Sequence, residues 1–145
     1  MIHQKNLRLG DLVQITVDLP EYKQGDIFVV IDISEIYIGL RSPSESDCRQ
    51  DLYTIRDHIE GILLTPEILE KNGWNKRHDP TSSCDIYSKG KDAFYVSLEQ
   101  SIYKKQEGFE LVVADSTYRF GNKLQYVHEL QHILWALGED ANLKI

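Results

Sequence analysis

Cysteine is scarce in this 145-residue chain: Cys48 and Cys84 stand far apart, with no Cys-x-x-Cys spacing. That pattern points to free thiols in a reducing compartment rather than to a disulfide framework. Long apolar runs are also missing. The opening Met-Ile-His-Gln-Lys-Asn holds no stretch of signal-peptide length, and nothing later approaches the roughly 20 apolar residues of a membrane span. No membrane partner is expected, and the expected compartment is the cytoplasm. Positive charge is in short supply: 16 Lys and Arg against 23 Asp and Glu leave a net charge of −7, with a pI near 5.2. Sequence-independent binding to nucleic acid or to anionic membrane relies on Lys and Arg to neutralise phosphate, so this balance argues against both. The basic pairs Lys76-Arg77 and Lys104-Lys105 read as solvated surface. A phosphate-cradling loop is absent too, because Phe120-Gly-Asn-Lys lacks the second Gly and the Ser or Thr that such a loop needs. There is no internal repeat and no low-complexity segment.

What is present is an ordinary globular composition, 41% hydrophobic and 27% charged, in a length that suits one domain or two very small ones. The first half reads as β structure. Leu7-Arg-Leu-Gly-Asp11 supplies a turn, after which Val13, Ile15 and Val17 recur at period two. Residues 20–26 read as a loop, and 27–33 form a nearly continuous β-branched run, expected of a strand buried on both faces. Ile36, Ile38 and Leu40 alternate with Tyr37 and Arg41. Residues 42–50 read as a loop, and a last strand or tight turn runs from Leu52-Tyr-Thr-Ile55 toward Ile62-Leu63. Several short strands in so little chain predict a small bent barrel. The Gly-Asp turn entering an apolar strand resembles the opening of Src-homology-type and KOW-type barrels.

Residues 65–72 carry helix punctuation. Thr65 is the expected N-cap, Pro66 sits at the first helical position, Glu67 favours the positive dipole end, and Asn72-Gly73 offers a left-handed stop. Trp74 is expected to fold back on that helix. Residues 75–83 read as a polar loop containing His78. Strands are then expected at 85–88, 93–98, 109–113 and 117–120, with turns at Lys89-Gly90 and Glu107-Gly108, giving a small antiparallel sheet. From 122 to 137 the period becomes helical. The predicted class is α+β. Residues 1–64 form a β barrel-like unit, and 65–145 a helix, an antiparallel sheet and a C-terminal helix, within one compact body. Tyr87, Tyr95, Tyr103 and Tyr118 fall in the sheet region and read as half-buried strand residues rather than a base-stacking platform.

One string in the last helix has the form of a catalytic motif, His128-Glu-Leu-Gln-His132. A helical His-Glu-x-x-His places two imidazoles one turn apart to hold zinc, with the Glu as general base on the metal-bound water. Here His128 and His132 would be the ligands and Glu129 the base. A catalytic zinc takes three protein ligands. The positions where an extended pattern of this kind continues hold Trp135 and Gly138, and Glu139 and Asp140 lie past the expected helix end. An upstream donor such as His58 or His78 would be an unusual layout. On a helical wheel, Tyr126, Val127, Leu130, Ile133, Leu134 and Leu137 share one side. His128 and His132 fall opposite, where solvent is the expected neighbour.

Three segments together carry a resemblance. They are Leu7-Arg-Leu-Gly10, the central Ile59-Glu-Gly-Ile-Leu-Leu-Thr-Pro-Glu-Ile-Leu-Glu-Lys-Asn-Gly-Trp74, and Tyr126-Val-His-Glu-Leu-Gln-His-Ile-Leu-Trp-Ala-Leu137. In order and spacing the chain resembles, over nearly its full length, a group of small proteins of gut bacteria and their phages or mobile elements. That group opens on Leu-Arg-Ile-Gly, carries a Pro-Leu-Thr-Glu-Glu-like centre and ends in a Tyr-Val-His-x-Leu-Gln helix. Its pattern has Gln at the place of Glu129 and Asn at that of His132. The resemblance therefore covers His128, Leu130 and Gln131 but not the metal motif, and it implies no catalytic, binding or cofactor residues. It makes His128 and Gln131 positions that tether the helix to the fold.

The expectation is thus a non-enzymatic binding or accessory module of a phage or mobile element, without catalytic residues or cofactor, with another protein as partner. Two alternatives stand beside it: a zinc-dependent hydrolase built on His128, Glu129 and His132, and a nucleic-acid-associated regulator acting through the barrel.

Overall fold

A computed structural model of the chain describes residues 6–44, 46–47, 49–89, 96–113 and 118–145, the last without the side chains of 118–121. Among the described residues ten strands and two α-helices make a mixed α+β protein with two antiparallel five-stranded sheets. The chain divides into two compact units, Met1–Ile62 and Leu63–Ile145. Among the described residues no helix is long and apolar enough to cross a membrane.

The first unit holds β1 (Leu12–Ile15), β2 (Ile27–Ile33), β3 (Ile38–Arg41), β4 (Leu52–Thr54) and β5 (Ile59–Gly61), with a 3-10 turn over Arg56–His58. The turn before β1 is built as its residues dictate. Gly10 takes a positive φ of 93°, which a side chain would resist. The Arg8 N–H donates to Asp11 Oδ2 at 2.7 Å, and the Gly10 N–H donates to the Val30 carbonyl. The Leu-Arg-Leu-Gly segment is therefore a strand-entry device. The sheet order is β4-β3-β2-β1-β5. Among the described residues no ladder joins β4 to β5, so this is an open sheet, and the closure of the expected barrel is not seen in the pairing. β2 also departs from expectation. Phe28 and Val30 are buried while Ile27, Val29 and Ile31 are only half-covered, so it alternates as a one-sided antiparallel strand does. Val13, Ile15, Tyr22, Phe28, Val30, Ile38, Leu40 and Ile59 form the core, whereas Ile36 lies exposed in the turn before β3.

The second unit opens with α1 (Pro66–Lys71). Thr65 Oγ1 accepts the Ile68 N–H at 3.4 Å. Gly73 has φ +80°, and the Trp74 N–H returns to the Leu69 carbonyl while that of Gly73 reaches Glu70. This paired closure needs a glycine at the left-handed position. Leu69 and Trp74 are buried.

The sheet order is β10-β9-β8-β7-β6, a plain meander. Its strands are β6 (Asn75–Asp79), β7 (Cys84–Lys89), β8 (Val96–Ser101), β9 (Phe109–Val113) and β10 (Tyr118–Leu124). Residues 75–79, expected as loop, are thus an edge strand, in register from Asn75↔Ser88 to Asp79↔Cys84. No periodicity marks it because its side chains are exposed, and charged residues on an edge discourage pairing with other chains. Strand β8 runs later than expected, through Glu99, Gln100 and Ser101. The Lys89-Gly90 turn, residues 93–95 with Tyr95, Thr117 and Cys48 lie wholly or partly outside the described residues. Cys84 is a free thiol. The terminal helix also begins later than the period change implies. Asn122, Lys123 and Leu124 belong to β10, beyond a register shift, and α2 spans Val127–Ala136.

Candidate functional site

Helix α2 is closed at both ends by its own residues. Glu129 Oε2 accepts the N–H groups of Gln125 at 2.7 Å and Tyr126 at 3.0 Å, satisfying donors that a helix start leaves open. Gly138, with φ +73°, ends the helix, and the Glu139 N–H returns to the Leu134 carbonyl.

The buried face holds Val127, His128, Leu130, Gln131 and Leu134. The helical wheel turned His128 toward solvent while the resemblance set it against the fold; it is 3% exposed, which corrects the wheel. Leu137, expected inside, is exposed. Polar side chains can occupy a buried face when the fold satisfies them. Gln131 Nε2 donates to the Ala141 carbonyl at 3.2 Å, tying the helix to the following segment, whose Ala141 and Leu143 are buried. The His128 ring stacks on Tyr126 with centroids 5.7 Å apart.

The two histidines do face each other, centroids 5.8 Å apart, and the half-buried His132 stacks on Trp135. Glu129, however, is held at the helix start by two backbone donors rather than presented to a bound water. His78 contacts Asp85 at 3.1 Å, and His58 contacts Thr54 at 2.9 Å. The Asp140 carboxylate accepts the Asn142 N–H. Among the described residues no group of three or more His, Cys, Asp or Glu is placed to hold a metal ion.

The first unit carries a different kind of surface. A groove of about 510 Å³ is lined on one side by Leu19, Pro20, Glu21 and Tyr22, and on the other by Leu52, Tyr53, Thr54, Ile55 and His58. That volume lies within the range of binding clefts. Leu19 and Tyr22 bridge to one another, which folds the first wall into a tight finger. Tyr22 is its fixed element: its hydroxyl donates to the Gln50 carbonyl at 2.6 Å, and its ring meets Phe28 edge-on at 5.3 Å. Burial and the neighbouring Glu21 carboxylate push its phenol above the ordinary range. The opposite wall is held by Thr54 and His58, whose contact joins β4 to the 3-10 turn. The Thr16 N–H donates to the His58 carbonyl at 2.9 Å.

Large apolar groups on this wall stay in solvent. Tyr53 is 56% exposed and Ile55 47%. Tyr53 also meets Tyr37 edge to face at 5.4 Å. Two of the cations around the groove are held by carboxylates, while Arg56 donates to the Glu35 carbonyl and Lys23, next to Tyr22, makes no ion pair among the described residues. Arg41 makes a two-pronged bond to Asp51. Arg49 pairs with Asp47 at 2.6 Å and lies 4.8 Å over the Tyr22 ring. The guanidinium bonded to each holds the carboxyls of Asp47 and Asp51 below the usual range. Glu21, and Asp18 and Asp57 beside the lining segments, make no ion pair among the described residues.

The groove escaped sequence reading because its two walls lie some thirty residues apart in the chain. Residues 52–55 carried a signal, with Leu52, Tyr53 and Ile55 apolar or aromatic in and just after a very short strand, but it was indistinguishable from a core strand. No protein-family model, curated protein or solved structure matches the chain.

Proposed function

We propose that this chain is a non-enzymatic binding module whose first unit takes a segment of another protein in its groove, in the cytoplasm, as an accessory of a phage or mobile element. The carrying observation is the groove wall, where Tyr53 and Ile55 remain exposed beside Pro20 and Tyr22. Exposed apolar groups gathered in a cleft are characteristic of interaction surfaces. The resemblance to proteins of phages and mobile elements supports the biological setting. The reading also takes the first unit as barrel-like. The order β4-β3-β2-β1-β5, the register shift in β2 and the 3-10 turn that returns the chain beside β1 support that view. Glu129, engaged by two backbone donors, supports a structural role for α2 over a hydrolytic one.

Display of random peptides against the full chain, with counter-selection on Ile55→Asp, tests this reading. Enriched peptides that bind the wild type and lose the variant are expected. Enrichment of peptides indifferent to Ile55→Asp, or none at all, would overturn it.

A further inference from the structure

We infer that the occupant of this groove is an extended, basic segment of a partner protein, laid along the free edge of β4. The inference rests on the groove being a binding surface, and adds the conformation and charge of what it binds.

Conformation follows from the lining. Successive side chains of a strand point to opposite faces of a sheet. Yet all three residues of β4, Leu52, Tyr53 and Thr54, line one groove, as does the following Ile55, so the groove follows the edge of the strand rather than either face. Among the described residues β4 is terminal in its sheet, with β3 as its sole neighbour. A terminal strand presents backbone donors and acceptors on its open side, and an extended peptide meets them as an added strand would. The facing wall carries Pro20, which has no N–H to compete for that ladder. An extended segment thus satisfies the edge and places alternate side chains against Tyr53 and Ile55.

Charge follows from which groups are already engaged. Residues 1–62 contain six Lys and Arg against eleven Asp and Glu. Arg41 and Arg49, flanking β4, are bound to Asp51 and Asp47, and Arg56 donates to the Glu35 carbonyl. Lys23 beside Tyr22 makes no ion pair among the described residues, so the acidic excess of the unit, rather than a lack of any local cation, sets the sign of the field. The carboxylates of Glu21, Asp18 and Asp57 make no ion pair among the described residues, and Glu21 lines the groove itself. The chain also shows its own version of the contact: the Arg49 guanidinium sits on the face of Tyr22 at 4.8 Å, the geometry by which an aromatic ring attracts a cation. A partner segment carrying Lys or Arg complements this field, whereas an acidic segment or a nucleic acid is repelled by it.

Three fluorescein-labelled peptides decide the matter. They share valine and isoleucine at alternate positions and carry Lys/Arg, Ser or Glu between them. Anisotropy is followed with the full chain, with Ile55→Asp and with Glu21→Lys, each variant first shown to keep the wild-type unfolding midpoint. The basic peptide is expected to bind at least about tenfold more tightly than the acidic one. Glu21→Lys should weaken it several-fold, and added salt should weaken it further as the charges are screened. Equal binding of all three peptides, lost in Ile55→Asp, would overturn the basic partner while leaving the groove as a binding surface. Binding of none tighter than about 1 mM, or binding indifferent to Ile55→Asp, would overturn both. A labelled DNA oligonucleotide displacing the basic peptide would likewise overturn the inference.

Discussion

Tyr53 stands directly opposite Gly39 on the β3–β4 ladder, and its Cε1 lies 3.0 Å from the point where a β-carbon on Gly39 would sit. The bare glycine is what lets the tyrosine ring lie down against its neighbour strand, beside Tyr37, with part of its surface turned to the groove. The shape of the candidate binding wall is thus set from behind by a residue that takes no part in it.

Gly39→Ala should therefore disturb the wall directly. The new methyl would also stand 2.8 Å from the Asp32 Cβ, closer than real β-carbons approach. An overpacking cost of about 1–3 kcal/mol is expected, read as a lowered unfolding midpoint in denaturant. The Tyr37 and Tyr53 ring resonances should shift at the same time. An unchanged midpoint and unchanged ring resonances would mean that the contact is not as described.

Gly108 provides a stronger test of backbone geometry. Its φ of 85° and ψ of −159° fall in a region open essentially to glycine alone, and an added β-carbon would stand 2.3 Å from the Leu124 carbonyl oxygen. Gly108→Ala should cost more than about 2 kcal/mol. Gly138→Ala, where φ is +73° but nothing lies within 4 Å, should cost only about 1 kcal/mol. Parallel urea titrations of the two variants check the ranking.

The roles assigned along α2 separate in one mutational series. Glu129→Ala removes the acceptor of two helix-start donors and should cost about 1 kcal/mol. His128→Ala empties a buried, stacked position and should cost roughly 2–4 kcal/mol. His132→Asn, at a half-exposed position, should stay within about 1 kcal/mol. Thermal unfolding with and without equimolar zinc checks both the order and the metal reading. Zinc that raises the midpoint of the wild type but not of His132→Asn would show a metal site at the histidine pair and contradict the purely structural reading of α2.

How much of this was legible in the sequence depended on where each signal lay. Thr65-Pro66 and Asn72-Gly73 mark both ends of α1 correctly because capping is local chemistry. The turn before β1 is similarly local. Strand β6 was missed because Asn75-Lys-Arg-His78 is exposed, Asp79 is only half-buried, and the stretch has no apolar period to read. The face of α2 was mis-set because apolar character stood in for burial. Gln131 is inside because the Ala141 carbonyl is there to receive its amide, a partner that no helical wheel contains. The groove lay beyond reach for the same reason: Pro20 and Tyr53 become neighbours through the fold alone.

Asp79 should leave a mark on acid stability. Its carboxylate accepts from the Thr81 hydroxyl at 2.7 Å and the Thr81 N–H at 2.9 Å, and from the Ser82 hydroxyl at 2.9 Å. These bonds lower its pKa from 3.8 to about 2. A depressed folded-state value stabilises the protein above the unfolded-state value and ceases to do so as pH falls through the folded one. Wild-type stability should therefore decline between about pH 4 and pH 2, and Asp79→Asn should show a shallower decline in that window. Urea midpoints measured across this range, giving equal slopes for both proteins, would contradict the assignment.

The groove of the first unit is most directly tested by amide chemical-shift mapping. The full-length, nitrogen-15-labelled chain would be titrated with the basic valine–isoleucine peptide. Shifts confined to residues 19–22, 52–55 and His58, saturating with peptide, are predicted. Shifts centred instead on α2, or a spectrum unmoved by millimolar peptide, would contradict the claim that this groove is where the protein binds its partner.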